Sequence, residues 1–158
     1  MEEKNIEIGT EQKRKEFSRE TARKALENLK VKIKEANKRN DFIYEIKKVV
    51  LFGSYINSNK EKIGDIDIAL YIDLKDKITP ETEQNYKRSF ESGKQMSYLE
   101  RLFYGKEEIS KFVKDRKAVI ELHDGYLIDK RVEETGLPNY IYTDINEVIY
   151  ELKEKEEA

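Results

Sequence analysis

From Ser18 onward the apolar positions Ala22, Ala25, Leu26, Leu29, Ile33 and Ala36 recur at steps of three and four, with Lys, Arg and Glu between them. That period predicts an amphipathic helix with one buried face, ending where Asn and Asp cluster between Asn37 and Asn40. Phe42 to Phe52 reads as an extended segment and Asp65 to Ile72 as an isoleucine-rich buried strand. Between them lies a Gly53-Ser54 turn, with Ser54 opening a short helix through Tyr55 and Ile56, and then a loop from Asn57 to Lys62. Thr79 is placed as the N-cap of the next helix, Pro80 at its first position, and Glu81 and Glu83 in its first turn.

Apolar positions continue at Tyr86, Phe90, Met96, Leu99, Leu102, Phe103, Ile109, Phe112 and Val113. Their phase drifts around Gly93 and Gly105, which predicts two or three helical pieces instead of one rod. The aromatic stripe Tyr98, Phe103 and Tyr104 is read as core, with base stacking as the alternative. Lys117 to Asp124 alternates like a strand, and Ile128 to Glu134 reads as a short helix. After a Gly136-Leu137-Pro138 break come an edge strand at Tyr140 to Tyr142 and a capping box, Asp144-Ile145-Asn146-Glu147. That box predicts a last helix with Val148, Ile149 and Leu152 facing inward. The first 15 residues, polar apart from Ile6-Glu7-Ile8, are expected to be a flexible segment or a short added strand, with one domain over 16–158. The final Glu-Lys-Glu-Glu-Ala is expected to fray.

Length and charge narrow the picture. A chain of 158 residues suits one domain that buries roughly 70% of its unfolded surface. Charged residues are 41% of the chain and nearly cancel, to a net charge of −2. Uniform basicity is absent, so general nucleic-acid affinity does not follow from charge. Arg23, Lys24, Lys30, Lys32 and Lys34 are read as a solvated helix face in preference to a nucleic-acid surface. With no cysteine and one histidine, thiolate zinc sites, cysteine nucleophiles, disulfides and multi-histidine metal sites are excluded. The acidic, polar start and the lack of a long apolar segment argue against a secretory signal or membrane helix, so a cytoplasmic protein is expected.

The candidate chemistry lies between Leu51 and Ile72. An apolar run, Val49-Val50-Leu51-Phe52, leads into Gly53-Ser54; ten residues intervene before Asp65, Ile66, Asp67 and Ile68. On a strand, Asp65 and Asp67 project from one face while Ile66 and Ile68 point to the other. Two carboxylates held together repel unless a cation sits between them, and Mg²⁺ is the hard ion commonly bound by one or two carboxylates with substrate phosphates. Gly53 permits close approach of backbone to a phosphate, and Ser54 offers a hydroxyl and helix-end N–H groups to the same anion. Lys60 and Lys62 are candidates for neutralising a triphosphate, with simple solvation of the loop as the alternative.

Hydrophobe-Gly-Ser followed by Asp-hydrophobe-Asp-hydrophobe, carried by Phe52, Gly53, Ser54, Asp65, Ile66, Asp67 and Ile68, resembles the signature of the DNA polymerase β-like nucleotidyltransferase superfamily. The Phe-Gly-Ser-Tyr wording is most similar to the minimal nucleotidyltransferases. The resemblance implies a mixed α+β fold, a small mixed sheet of about three to five strands carrying the Gly-Ser turn and the Asp pair and packed with α-helices. It also implies a last acidic residue within a later strand. Ile120-Glu121-Leu122 fits that place, with Glu where Asp is commoner, and Asp124 beside Gly125 is the rival. His123 shares a strand face with Glu121 and is either a contact to phosphate or acceptor or a structural residue.

The implied activity transfers a nucleoside monophosphate from an NTP to a hydroxyl, releasing pyrophosphate. Two Mg²⁺ ions, or Mn²⁺, would be held by Asp65, Asp67 and Glu121. The implied acceptor is a partner protein, a transfer RNA or a small molecule, with a homodimer or partner protein as the assembly. The reading from another class is a catalytically silent module that keeps the fold as an antitoxin-like or scaffold surface.

Overall fold

The computed structural model describes residues 15–136 and 146–153. The expectations placed on the first 14 residues, on the edge strand Tyr140 to Tyr142 and on the last five residues lie outside them. A two-residue strand β1 (Phe17–Ser18) leads into helix α1 (Arg19–Lys38), followed by β2 (Tyr44–Phe52), a single turn of helix α2 (Ser54–Asn57), β3 (Lys62–Ile63) and β4 (Ile66–Leu74). Three helical pieces come next, α3 (Glu81–Glu91), α4 (Tyr98–Leu102) and α5 (Tyr104–Lys114), and then β5 (Ile120–Asp124), α6 (Gly125–Thr135) and β6 (Glu147–Glu151).

The main sheet runs β5-β4-β2-β6, with β4 and β5 parallel and the other neighbours antiparallel. The small β1-β3 ribbon stands apart. The mixed α+β architecture expected from the chain is therefore present.

Helix α1 forms where the three-four period placed it. Ser18 accepts a hydrogen bond from the Thr21 amide and caps its start, and all six periodic residues from Ala22 to Ala36 are buried. Each large aliphatic side chain so buried contributes about 1.5–3 kcal/mol. On the outer face Arg23, Lys30 and Lys32 pair with Glu20, Glu27 and Glu35 one turn away, as a solvated face does. The inner face packs with Ile109 and Val113 of α5 onto one side of the sheet, against Ile46, Val49, Leu51, Ile66, Ile68, Leu70 and Ile120. Helix α6 covers part of the opposite side, where Ile128 meets Val50, Phe52, Ala69 and Tyr71.

Three expectations need correction. Residues 147–151 are a strand against β2, not the start of a helix, and Val148 is half exposed. The Glu-Val-Ile-Tyr-Glu stretch is rich in β-branched and aromatic residues, and pairing with the outer edge of β2 outweighs the local capping signal. Helix α3 begins at Glu81 with Pro80, not Thr79, at the cap; the Thr79 amide instead donates to Asp76.

The aromatic stripe is not core either. Tyr98 and Phe103 are 65% and 68% exposed, and Tyr86, Phe90 and Leu99 are exposed with them. Only Ile109 and Val113 of that series are fully buried, while Phe112 packs partly buried against the core.

The face that α3 turns inward is polar instead. Asn85, fully buried, donates to the Tyr44 hydroxyl at 2.8 Å and to the Glu81 carbonyl at 3.0 Å, and accepts from the Gly105 amide at 2.7 Å. Gly105 is thus a point of close approach inside α5: a β-carbon there would lie 2.7 Å from the Tyr44 ring and 2.8 Å from the Asn85 carbonyl oxygen. Replacing Asn85 by Ala would leave the Gly105 N–H unpaired in the interior and is expected to lower the unfolding free energy by about 1–3 kcal/mol. Urea denaturation checks it, and an unchanged midpoint would show that this contact does not hold α3 in place.

Candidate active site

Strand pairing brings the acidic residues of two distant segments together. Phe52 of β2 lies opposite Asp67 of β4, and Asp67 lies beside Glu121 of β5, so the three form one row across adjacent strands. Ile66 pairs with Ile120 and Ile68 with Leu122; their burial on the other face forces Asp67, Glu121 and His123 outward.

One ligating atom from each of Asp67, Glu121 and His123 lies within 4.8 Å of the others. Asp67 and His123 are half-buried and Glu121 is exposed. Asp65, which immediately precedes β4, is not a member of that cluster, although its charge reaches His123.

His123 is tied into the group more tightly than sequence reasoning gave it. Its Nε2–H donates to Asp67 Oδ1 at 3.0 Å, and its ring leans on Phe52 with centroids 5.2 Å apart. That hydrogen bond raises the imidazole pKa above its ordinary value; burial opposes the rise, and the charges of Asp67, Glu121 and Asp65 add to it. The spacing Glu121-x-His123 carried the signal, since two residues apart on a strand means one face.

Asp124, the rival third carboxylate, instead caps α6 by accepting from the Leu127 amide at 3.2 Å. That is the turn role its place beside Gly125 suggests.

The Gly-Ser turn meets the carboxylates directly. Gly53 has φ +87°, and a β-carbon at that position would sit 2.3 Å from Asp67 Oδ2. A bare backbone is therefore what fits against this carboxylate. Ser54 is exposed at the first position of α2, where the Gly53 carbonyl accepts from the Asn57 amide at 3.0 Å. Lys60 and Lys62 are both exposed, Lys62 within β3, and neither belongs to the carboxylate cluster.

Arg19 at the start of α1 organises this loop, a role the sequence gave no sign of. Its guanidinium donates to the carbonyls of Lys60, Tyr55 and Ser58, and lies 5.1 Å from the centroid of the Tyr55 ring. Several N–H groups in a fixed fork can thus hold three carbonyls at once.

A half-exposed face with two carboxylates and an imidazole, closed on one side by glycine backbone, is a donor set suited to a divalent cation. No helix among the described residues is long and apolar enough to cross a membrane. A family model described as "Nucleotidyltransferase domain" matches residues 31–135, which include every strand of this site. No curated protein and no solved structure gives a significant match.

The His123–Asp67 contact fixes a pH dependence. A histidine whose pKa is raised on folding stabilises the native state below its unfolded value of about 6.5. That contribution is lost as pH climbs through the raised value. In chelator-treated protein, NMR titration of the single imidazole should give a pKa above about 6.5, and Asp67→Asn should lower it. A wild-type value at or below the ordinary one would contradict the contact.

Proposed function

The chain belongs to the nucleotidyltransferase domain family, and on that premise we propose that it moves a nucleoside monophosphate from an NTP to a hydroxyl acceptor, in a metal-dependent reaction that releases pyrophosphate. The observation that carries this reading is the row of Phe52, Asp67 and Glu121 across three strands, with the backbone of Gly53 laid against Asp67. It juxtaposes a carboxylate pair with a turn able to accept a phosphate.

In this reading Asp67 and Glu121 hold Mg²⁺, and Asp65, just ahead of β4, adds the third carboxylate. When bound, divalent ions in such a site neutralise triphosphate charge and activate the attacking hydroxyl. Gly53 lets its backbone lie against Asp67, and the Ser54 hydroxyl with the adjacent amides is the donor set for a phosphate beside it. Lys60 and Lys62, in a loop that Arg19 pins, supply positive charge toward the NTP tail. Transfer of this kind rests on positioning and charge neutralisation more than on covalent help from the protein.

The acceptor class follows from resemblance alone: a protein, a transfer RNA or a small molecule, presented by a second copy or a partner protein.

The test is incubation of purified chain with each α-labelled NTP and Mg²⁺ or Mn²⁺, with and without bulk RNA. Label should move to protein, RNA or an added hydroxyl compound. Asp67→Asn and Glu121→Gln should each slow that transfer by on the order of 10²-fold or more while circular dichroism stays native. Gly53→Ala should do the same, because its methyl would displace the Asp67 carboxylate. Undiminished transfer in Asp67→Asn would overturn the assignment, and nucleotide binding with no transfer under any condition would favour the silent module.

A further inference from the structure

The cluster that the fold assembles contains a nitrogen donor that the two-aspartate motif does not supply. Asp67, Glu121 and His123 present one ligating atom each within 4.8 Å, and His123 is the one histidine of the chain. Its Nε2 stands 3.0 Å from Asp67 Oδ1. Two ligands at about 2.1 Å from one ion, in neighbouring positions of an octahedron, lie about 3.0 Å apart, so an ion seated to one side of the Nε2–Oδ1 line reaches both once the shared proton has left and the imidazole has turned toward it. Phe52 backs the imidazole at 5.2 Å and limits its rotation away from the row. The second oxygen of Asp67 occupies the space that a β-carbon at Gly53 would take, which fixes the carboxylate in place.

We propose that His123 Nε2 is a direct ligand in a mixed nitrogen–oxygen metal site with Asp67 and Glu121, and that this site selects manganese-class divalent ions over magnesium. An imidazole ligand costs Mg²⁺, which takes oxygen donors and gives up its waters reluctantly, more than it costs Mn²⁺, and it favours the later first-row ions more strongly still. The oxygen-only set of Asp65, Asp67 and Glu121 has no nitrogen ligand to add to the preference that easier dehydration already gives Mn²⁺. The inference rests on the transfer reading for its purpose and on the geometry of these three side chains for its site.

The experiment uses the full chain with Mn²⁺ alone and Mg²⁺ alone, followed by calorimetry, and with pulsed electron paramagnetic resonance on the Mn²⁺-loaded protein. Wild type should bind Mn²⁺ about tenfold or more tightly than Mg²⁺, and His123→Gln should remove most of that difference by weakening Mn²⁺ binding. An imidazole ¹⁴N coupling to Mn²⁺ can come from no other histidine, and it should vanish in His123→Gln.

Equal affinities, no nitrogen coupling and an unchanged His123→Gln would overturn this inference and leave the transfer reading standing if label still moves. The opposite result, nitrogen-coupled Mn²⁺ with no transfer of any labelled NTP, would keep the metal site and overturn the transfer reading.

Discussion

The structure depends on the strict alternation of β4 and β5. Asp67 and Glu121 are like charges held side by side, an arrangement their repulsion opposes. What holds them there is the other face: Ile66, Ile68 and Ile120, each at most 1% exposed, seated against α1 and α5. A slip of one residue in either strand would bury a carboxylate and expose an isoleucine, losing aliphatic burial and desolvating a charge together. The apolar face thereby stabilises the register that the polar face needs.

Two basic side chains support the site in different ways. His123, itself on β5, places an N–H on Asp67 and is drawn toward its charged form by the surrounding carboxylates. Arg19 acts at longer range, gathering three carbonyls of the segment between Gly53 and Lys62 and fastening it to the first turn of α1. The β1-β3 ribbon, pairing Phe17 with Ile63, fastens the same segment a second time. The loop is thus anchored to the first turn of α1, the longest helix among the described residues.

What could be read in advance was whatever obeys a short period. The buried stripe of α1, the strand pair around Gly53 and the outward parity of Asp67 and Glu121 all follow from spacings of two or of three and four. Arg19 was not legible, because its partners lie 36 to 41 positions away and are backbone carbonyls, which any residue provides. The strand at 147–151 was misread for a related reason: a capping pattern is local, whereas the vacant edge of β2 beside Lys48 to Leu51 is a property of the assembled sheet. The exposed Tyr98 and Phe103 show the limit of periodicity itself, since it locates a stripe without saying that anything covers it. Asp65 shares its parity with Asp67 yet falls one position before β4 begins, so the alternation that places Asp67 does not place it.

Among the described residues β5 is the terminal strand of the sheet, and Glu121 on it is exposed. The row of Asp67 and Glu121 therefore ends at an edge of the described sheet. Among the described residues no further strand pairs with β5 on its outer side, so Glu121 faces solvent beside a free sheet edge. On the proposed transfer reading, such side-on access suits an acceptor too bulky to enter a cleft.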